Sequence, residues 1–331
     1  MRIDIHSHCI PQNYISAIRE KGDKYPERIR VDSSGQEHIL LAGDYWQALT
    51  DDRHDPKRIM QDMDESGRHM AVLSVTPRMF HYEMDAEIGE GIAKKVNDGI
   101  NQMVSEHPDR FAGMATVPLQ HPPTAIKELE RAVNQLGMRA VEIGSNINGR
   151  NLDEPEFFPF FEKAQALSVL IFVHPCNVAG RERMSRYHLS NLIGNPTDTA
   201  LAIGSLIYGG ILERLPQLTL CFSHAGGSMP YLIGRLDHGY KVRSECKSAI
   251  PKAPSEYFKR LYSDTIAHSQ EGLLYLIQTI GSDKVLLGSD YPADMSDPQP
   301  VATVGNLRQI SEQDKQRIWG ENAARLLRIG K

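Results

Sequence analysis

The segment Ser168-Val-Leu-Ile-Phe-Val173 is a short apolar run, and His174 and Pro175 follow it directly. Parallel strands that are buried on both faces have this character. Polar connections and amphipathic stretches separate seven further runs of the same kind along the chain. They are Arg2–His6, His69–Val75, Phe111–Thr116, Met138–Ile143, Leu218–Ser223, Leu261–Thr265 and Lys284–Gly288. This alternation predicts βα units around a parallel sheet.

Helical patterns lie between the predicted strands, and Asp55-Pro56 has the residue types that begin a helix. The predicted helices are Asp55–Ser66, Glu87–His107, Pro123–Leu136, Glu154–Leu167, Thr197–Leu215 and Gln270–Ile280, with a closing helix after Ser311. Eight strands in 331 residues predict a (β/α)8 TIM barrel, with an open doubly wound sheet as the alternative. We expect one domain over residues 1–331, with residues 21–50 as a small inserted excursion that carries a hairpin.

Composition excludes several classes of protein. The chain is 40% hydrophobic and 24% charged with a net charge of -5, which is ordinary for a globular enzyme and gives no basic surface for nucleic acid. No apolar run is long enough to span a membrane, and the first residues do not resemble a secretory signal. The four cysteines are scattered, without a CxxC pair. We therefore expect a cytoplasmic protein that acts on a small molecule.

Polar residues that follow the apolar runs are the candidates for chemistry, because barrel enzymes place reacting groups at the carboxyl ends of their strands. These residues are His6, His8, Thr76, Glu142, His174, His224, Asp264 and Asp290. His6 and His8 share one face of a strand, so both imidazoles can reach one cation. Each histidine alone could be a hydrogen-bonded structural residue, and Asp290 alone could cap a helix. A metal centre in the barrel mouth explains them together.

Several motifs carry a resemblance to a known family. The segments RIDIHSH (2–8), VTPRMF (75–80), FVHP (172–175), FSHAGGSMPYLIGR (222–235) and LLGSDYP (286–292) resemble the amidohydrolase superfamily. More narrowly, they resemble the family of α-amino-β-carboxymuconate-ε-semialdehyde decarboxylase. That family also includes nonoxidative decarboxylases of γ-resorcylate and 5-carboxyvanillate. The resemblance extends from Arg2 to the C-terminal ENAARLL.

The resemblance implies a role for each matching residue. It makes His6, His8, His174 and Asp290 the metal ligands and His224 the general acid/base. The leading hypothesis for the reaction gives Asp290 two roles, as ligand and as proton relay.

The resemblance also implies substrate contacts. Arg235 matches an arginine that binds the substrate carboxylate from the neighbouring subunit, which implies a homodimer. Phe80 would line the substrate cavity, and Tyr187 stands where the family has a tryptophan.

The predicted fourth strand, MRAVEIGSN (138–146), bears on the number of metal ions. Members of the superfamily with two metals usually bridge them with a carboxylated lysine on this strand, and the segment has no lysine. The resemblance therefore implies one divalent ion. A histidine-rich site favours Zn, with Mn as the alternative.

This chain departs from the family at positions that contact substrate. A second arginine of the family has no strict counterpart, since Arg53 is shifted by several residues, and His54 and Cys176 stand where the family has tryptophans. These departures leave the substrate open. Cys9 and Cys176 are alternative thiolate ligands, although free cysteines are more often buried as small apolar residues.

Three functions are compatible with the sequence. The first is a metal-dependent nonoxidative decarboxylase acting on an unsaturated or aromatic carboxylic acid, with His224 moving the proton. The second is a hydrolase or hydratase on the same scaffold, acting on a lactone, amide or enol acid. The third is a noncatalytic metal-binding or scaffold protein, for which His224 would be dispensable.

Overall fold

Eight parallel strands form the centre of the computed structural model, which describes residues 1–20, 25–41 and 45–330. They are β1 (Ile3–Cys9), β2 (Met70–Val75), β3 (Phe111–Thr116), β4 (Ala140–Gly144), β5 (Leu170–His174), β6 (Thr219–Phe222), β7 (Tyr262–Asp264) and β8 (Val285–Leu286). Each strand pairs in parallel with the next one along the chain. All eight predicted strands are present; β3 has the predicted bounds, and the other seven strands have ends displaced by a few residues.

The sheet closes on itself between β8 and β1. The Ile5 amide donates to the Leu287 carbonyl at 2.8 Å, the Asp290 amide donates to the His6 carbonyl at 2.9 Å, and the His8 amide donates to the Tyr291 carbonyl at 2.7 Å. These bonds join the first and last strands, which an open doubly wound sheet keeps apart. The barrel prediction is confirmed, and the open-sheet alternative is wrong.

Helices surround the barrel in the βα order that the sequence predicts. They are Gln12–Glu20, Pro56–Glu65, Ala86–Glu106, Pro122–Asn134, Phe158–Leu167, Asn195–Tyr208, Ile211–Arg214, Met229–Val242, Pro254–Phe258, Gln270–Ile280, Pro300–Gly305, Glu312–Gln316 and Asn322–Leu327. Asp55 caps its helix, since its side chain accepts from the Lys57 amide. None of the described helices combines the length and the apolar character needed to cross a bilayer.

Two predicted helices differ from the structure by four residues or more at one end. The predicted helix Thr197–Leu215 is broken after Tyr208, because Gly210 takes a left-handed conformation with φ of 71°. The predicted helix from Glu154 begins only at Phe158, after a 3-10 turn over Pro155–Phe157.

Apolar side chains from all eight strands fill the interior of the barrel. The set comprises Ile3, Ile5, Met70, Val72, Met114, Ala140, Leu170, Phe172, Cys221, Tyr262 and Leu286, with Ala323 and Leu327 from the last helix. The polar residues of the strands lie beyond this interior cluster, at the carboxyl ends of the strands, where the loops begin.

A register shift in β1 determines which of its side chains enter the barrel. Asp4 pairs with Ala71 and Ser7 pairs with Leu73, so three steps on β1 face two steps on β2. Such a β-bulge re-aims the side chains of the residues within it, here Ile5 and His6. As a result, Ile5 belongs to the interior cluster, while the next residue, His6, also turns toward the interior.

The inserted excursion after β1 forms a three-stranded antiparallel sheet from Arg28–Val31, Glu37–Leu41 and Tyr45–Ala48. The predicted single hairpin is therefore extended by a third strand. Residues 21–24 and 42–44 of the predicted excursion lie outside the described residues.

Candidate metal centre and active site

Four strand ends bring three histidines and one aspartate together. His6 lies in the bulge of β1 and His8 lies just beyond it, His174 is the last residue of β5, and Asp290 follows β8 by four residues. The Nε2 atoms of His6 and His8 are 3.0 Å apart, and each is 3.3 Å from Asp290 Oδ1. The imidazole of His174 packs edge-on against both rings at 5.1 to 5.3 Å between centroids.

The hydrogen bonds on the far sides of these rings fix their tautomers. His6 Nδ1 donates to the Asp264 carboxylate at 2.7 Å, His8 Nδ1 to the Val75 carbonyl at 3.2 Å, and His174 Nδ1 to the Pro175 carbonyl at 2.9 Å. Carbonyl and carboxylate oxygens only accept, so in the neutral rings each Nδ1 carries the hydrogen and each Nε2 offers a lone pair.

The three Nε2 lone pairs converge without a donor between them. Those of His6 and His8 face each other at 3.0 Å, and His174 Nε2 is buried with no hydrogen-bond partner. Facing lone pairs repel unless a proton or a metal ion lies between them, and a buried unpaired polar atom is costly. Three imidazole nitrogens and one carboxylate oxygen are a donor set that divalent transition metals bind. The residues present therefore fit a divalent cation.

His224 completes the cluster from the opposite side of Asp290. Its Nε2 is 3.4 Å from Asp290 Oδ2, and its Nδ1 is 3.1 Å from Ser223 Oγ. One ligand atom from each of His6, His174, His224 and Asp290 lies within 4.8 Å of the others. Together with His8, the structure thus groups five residues. The predicted ligand set contains His8 and not His224, whereas the geometric group of four contains His224 and not His8.

His224 lies on a turn that the following glycines make possible. Gly227 has φ of 61°, and a Cβ there would lie 2.3 Å from the Pro196 carbonyl oxygen. Only glycine lets the backbone approach the helix Asn195–Tyr208 this closely. This contact anchors the helix Met229–Val242 behind His224.

Burial and neighbouring charges set the protonation of the cluster. Burial disfavours a charged imidazole at His6, but the Asp290 and Asp264 carboxylates outweigh it and raise the pKa of His6 to about 10. Burial lowers the pKa of His8 and lowers that of His174 well below its usual range. Although burial opposes ionisation, His6 and the other imidazoles hold the pKa of Asp290 well below its usual range. The site therefore favours a bound positive charge, which can be either a proton or a metal ion.

Asp264 and Glu142 are buried carboxylates beside the cluster, and the sequence marked them only as strand ends. Asp264 accepts the His6 Nδ1 hydrogen bond. Glu142 Oε1 is 3.9 Å from His8 Nδ1, and burial raises the pKa of this carboxyl to about 8. Asp264 and Glu142 therefore lie next to proposed ligands without being ligands themselves. In the sequence, only their position near a strand end pointed to them.

A cavity of about 370 Å³ opens beside His224 and Asp290. Its lining includes Asn191, Asn195 and His268, together with the aromatic rings of Tyr231 and Tyr275. Among the described residues, its lining has no lysine or arginine. The sequence did not single out these cavity residues, because they come from loops and helices without a recognisable motif.

The predicted substrate contacts lie outside this lining. Arg235 is exposed on the helix Met229–Val242. Tyr187 is 73% exposed and accepts a hydrogen bond from Arg186 at 2.8 Å. Phe80 is buried and stacks on Tyr82 at 5.4 Å between ring centroids. Their roles toward substrate stay predictions.

The two cysteines near the strand ends are poor candidates for thiolate ligands. Burial raises the pKa of the Cys9 thiol and of the Cys176 thiol to about 12. Both thiols are therefore protonated at neutral pH, and the Cys176 thiol faces the Asn146 carbonyl at 3.6 Å.

Comparison with known proteins agrees with this geometry. The family profile described as Amidohydrolase matches residues 3–329. The chain belongs to the amidohydrolase family. This amidohydrolase is 36% identical over 330 residues to the 2-amino-3-carboxymuconate-6-semialdehyde decarboxylase of Dictyostelium discoideum, covering 99% of this chain and 91% of that protein. The family resemblance inferred from the motifs is confirmed.

Two further similarities concern proteins of Polaromonas sp. JS666. The amidohydrolase is 29% identical over 291 residues to the gamma-resorcylate decarboxylase of Polaromonas sp. strain JS666, covering 81% of this chain and 86% of that one. It also resembles the crystal structure of dihydroxybenzoic acid decarboxylase from Polaromonas sp. JS666, which holds manganese and the inhibitor 2-nitroresorcinol. The TM-score is 0.81 at 24% identity, covering 100% and 97% of the two chains. The structural likeness supports the TIM-barrel fold.

Proposed function

We propose that this amidohydrolase is a metal-dependent nonoxidative decarboxylase of an unsaturated or aromatic carboxylic acid. The observation that carries the proposal is the convergence of three imidazole Nε2 atoms and Asp290 beside His224, at the side of a cavity of about 370 Å³. The full-length similarity to a decarboxylase of 2-amino-3-carboxymuconate-6-semialdehyde supports this class of reaction.

The proposed ligands are His6, His8, His174 and Asp290, which leaves His224 free for acid/base work. A divalent cation held there supplies positive charge that stabilises anionic oxygen atoms of the substrate. We propose one ion per chain, because β4 carries Glu142 and no lysine. Zn suits the histidine-rich donor set, and the manganese bound by the Polaromonas dihydroxybenzoic acid decarboxylase makes Mn the alternative.

The chemistry of decarboxylation defines what the chain itself must do. The bond between the substrate carbon and its carboxylate breaks, the electron pair stays on that carbon, and the carbon takes a proton. His224 borders the cavity and is the group proposed to deliver that proton. Asp290, 3.4 Å from His224 Nε2, orients the ring and is the proposed relay.

Product analysis tests this function against its alternative. We expect the metal-loaded protein to release one CO2 per molecule of an aromatic or unsaturated acid, and His224→Asn to abolish turnover while keeping bound metal. Addition of water without CO2 would instead identify a hydrolase or hydratase. Unchanged function in the His224 variant, with no turnover of any acid, would identify a noncatalytic metal-binding protein.

We propose a homodimer in which Arg235 of one subunit reaches the cavity of the other. A substrate carboxylate needs a cationic partner, and the lining of the described cavity has no lysine or arginine. Exposed apolar side chains border the same region, including Tyr231 at 85%, Tyr275 at 47% and Leu192 at 46% exposure. Such a patch is typical of a protein–protein interface.

Sedimentation and kinetics together test the dimer. We expect a dimer, and we expect Arg235→Ala to raise KM for the acid at least about 10-fold. Lys241→Ala, which removes another exposed cation from the same helix, is the control and should leave KM unchanged. An active monomer at low protein concentration would refute the shared site.

We propose further that residues 1–331 act as one domain with residues 21–50 inserted, and that the protein is cytoplasmic. The supporting observation for the compartment is that Cys9, Cys176, Cys221 and Cys246 are all free thiols. Phe80 and Tyr187 stay proposed substrate contacts, while Asn191, Asn195 and His268 are more direct candidates because they line the cavity.

A further inference from the structure

We propose that Asp264 is a positioning residue that couples the metal centre to the acid/base histidine. The inference rests on the proposed function, because it takes His6 as a ligand and His224 as the proton donor. Asp264 is the last residue of β7 and is fully buried. Its carboxylate contacts both His6 and the backbone of His224, which lie 218 residues apart in the sequence.

The two oxygens of Asp264 together accept four hydrogen bonds. Oδ2 accepts from His6 Nδ1 at 2.7 Å and from the His224 amide at 3.0 Å. Oδ1 accepts from the Ala225 amide at 2.8 Å and from the Ile266 amide at 3.1 Å. All four acceptor positions of this buried carboxylate are therefore occupied. Three of the four donors belong to His6 or to the turn at His224 and Ala225.

The contact with His6 decides which nitrogen of that ring can bind a cation. Because the carboxylate only accepts, it keeps the hydrogen on Nδ1 and leaves the Nε2 lone pair facing His8. If the group at this place donated instead, the hydrogen would move to Nε2 and the ligand would be lost. Supporting hydrogen bonds of this kind control metal affinity.

The contacts with His224 and Ala225 hold an unfavourable backbone conformation. His224 has φ of 53° and Ala225 has φ of 54°, which are left-handed values that side chains other than glycine rarely adopt. Two consecutive amides in this conformation point the same way, and both donate to Asp264. The carboxylate thus stabilises the turn that directs the His224 ring toward Asp290.

The packing around Asp264 leaves it little freedom to move. A Cβ at Gly288 would lie 2.9 Å from Asp264 Cβ and 3.2 Å from His6 Cβ. Glycine at position 288 therefore allows the segment after β8 to pack closely against both Asp264 and His6. A side chain at this position would have to displace one partner of the 2.7 Å hydrogen bond between them.

Asp264→Asn is the test, because it keeps the size of the side chain and replaces one acceptor with a donor. We expect the dissociation constants for Zn²⁺ and Mn²⁺, measured by competition with a chelating dye, to rise at least about 10-fold. With metal saturating, we expect kcat to stay at least about 10-fold below that of the unchanged protein, because His224 is misplaced.

Asp198→Asn is the matched control. Asp198 is also a buried carboxylate, and it accepts from the Ser145 hydroxyl, from Asn146 Nδ2 at 2.9 Å and from the Ala179 amide at 3.1 Å. None of these partners belongs to the five clustered residues. We expect this variant to lose stability but to keep its metal affinity. A merely structural role of Asp264 predicts the same for Asp264→Asn, so metal affinity within twofold of the unchanged protein would overturn the inference.

NMR of the unchanged holoprotein keeps the inference testable if Asp264→Asn does not fold. With ¹⁵N-labelled histidine, the signal that disappears in His6→Gln should be a strongly deshielded proton on Nδ1. A proton on Nε2 of His6 would overturn the inference. Metal binding without decarboxylation would refute the proposed function alone, because the affinity comparison and the tautomer would still report on Asp264.

Discussion

At the residue scale, His174 shows that a side chain suited to bind a metal ion can destabilise the metal-free protein. Its Nε2 is buried and lacks a hydrogen-bond partner, and burial lowers its pKa well below the usual range. A polar atom in this state destabilises the metal-free protein, because water solvates it in the unfolded chain. The same atom is available as a ligand for that reason.

We therefore predict opposite effects of His174→Leu on stability and on metal binding. Leucine has a similar volume and no unpaired nitrogen, so the metal-free protein should gain about 1 kcal/mol in free energy of unfolding. Metal affinity should fall more than about 100-fold, because a ligand is removed. Changes to residues that only hydrogen-bond to ligands typically cost about 10- to 100-fold. Urea unfolding with chelator and dye competition measure the two effects. A less stable variant that binds metal normally would contradict the prediction.

At the scale of elements, the loop after β6 depends on glycine at position 227. A methyl group there would meet the Pro196 carbonyl oxygen and lie 2.9 Å from Thr199 Cβ. We predict that Gly227→Ala destabilises the protein by about 2 to 4 kcal/mol, through backbone strain and overpacking. Urea unfolding measures the loss.

The control for this substitution is Gly91→Ala in the helix Ala86–Glu106. A Cβ at Gly91 meets nothing within 4 Å, and the residue is exposed. Alanine there should stabilise the protein by about 0.5 to 1 kcal/mol, because it reduces the freedom of the unfolded chain and favours the helix. Equal effects of the two substitutions would show that the contact with Pro196 is unimportant.

A buried ion pair joins the inserted excursion to the loop after β2. Glu27 Oε1 accepts from His81 Nε2 at 2.5 Å, and Glu27 Oε2 accepts from the Tyr14 hydroxyl at 2.7 Å. Burial opposes the charge on His81, but hydrogen bonds to Glu27 and Glu83 raise the pKa of His81 to about 9. The charged pair therefore persists at neutral pH and ties Phe80 and its loop to the excursion.

This raised pKa predicts a loss of stability in mild alkali. His81 binds its proton more tightly when folded, so the contribution is complete below about pH 6.5 and is lost as the pH rises through about 9. We expect the loss to be on the order of 3 kcal/mol. Glu27→Gln should flatten this pH dependence, as measured by urea unfolding between pH 6 and 10.

Glu83→Gln makes the same chemical change on the other side of the His81 ring. That carboxylate is 3.3 Å from His81 Nδ1 and 54% exposed, so its effect on the pH dependence should be smaller. Identical pH profiles for the unchanged protein and Glu27→Gln would rule out the buried pair as the cause.

At the scale of the whole molecule, the proposed ligands tie distant parts of the chain together. They come from β1, from β5 and from the segment after β8, so one bound ion links the first strand, a middle strand and the last strand. An ion that binds only the folded chain stabilises the fold in proportion to its affinity.

We predict that chelation lowers Tm by roughly 5 to 10 °C, since an ion at about a thousand times its Kd adds about 4 kcal/mol. Adding Zn²⁺ or Mn²⁺ should restore Tm, whereas Ca²⁺, which prefers oxygen ligands, should not. Differential scanning calorimetry measures the shift. A Tm that is indifferent to chelator would count against a bound ion.

The sequence by itself determined the strands and the polar residues that end them. A strand buried on both faces must be apolar along its length, and its end is marked where polar residues begin, as at His174 and His224. The strand Phe111–Thr116 and the helix Gln270–Ile280 coincide with their predicted bounds for the same reason. Eight such strands then implied a barrel with its polar residues at one end.

Only the tertiary structure decided how those residues meet. The bulge in β1 depends on pairing with β2, and the bond between His6 and Asp264 joins positions 258 apart. No local pattern encodes contacts at such separations, so the sequence could name the strand ends but not Asp264 as their common partner. The cavity beside His224 likewise arises where separate loops pack together. A ligand or an acid/base residue at the end of one strand can be recognised from the local sequence. The hydrogen bonds that orient it come from other strands, so they depend on the closed barrel.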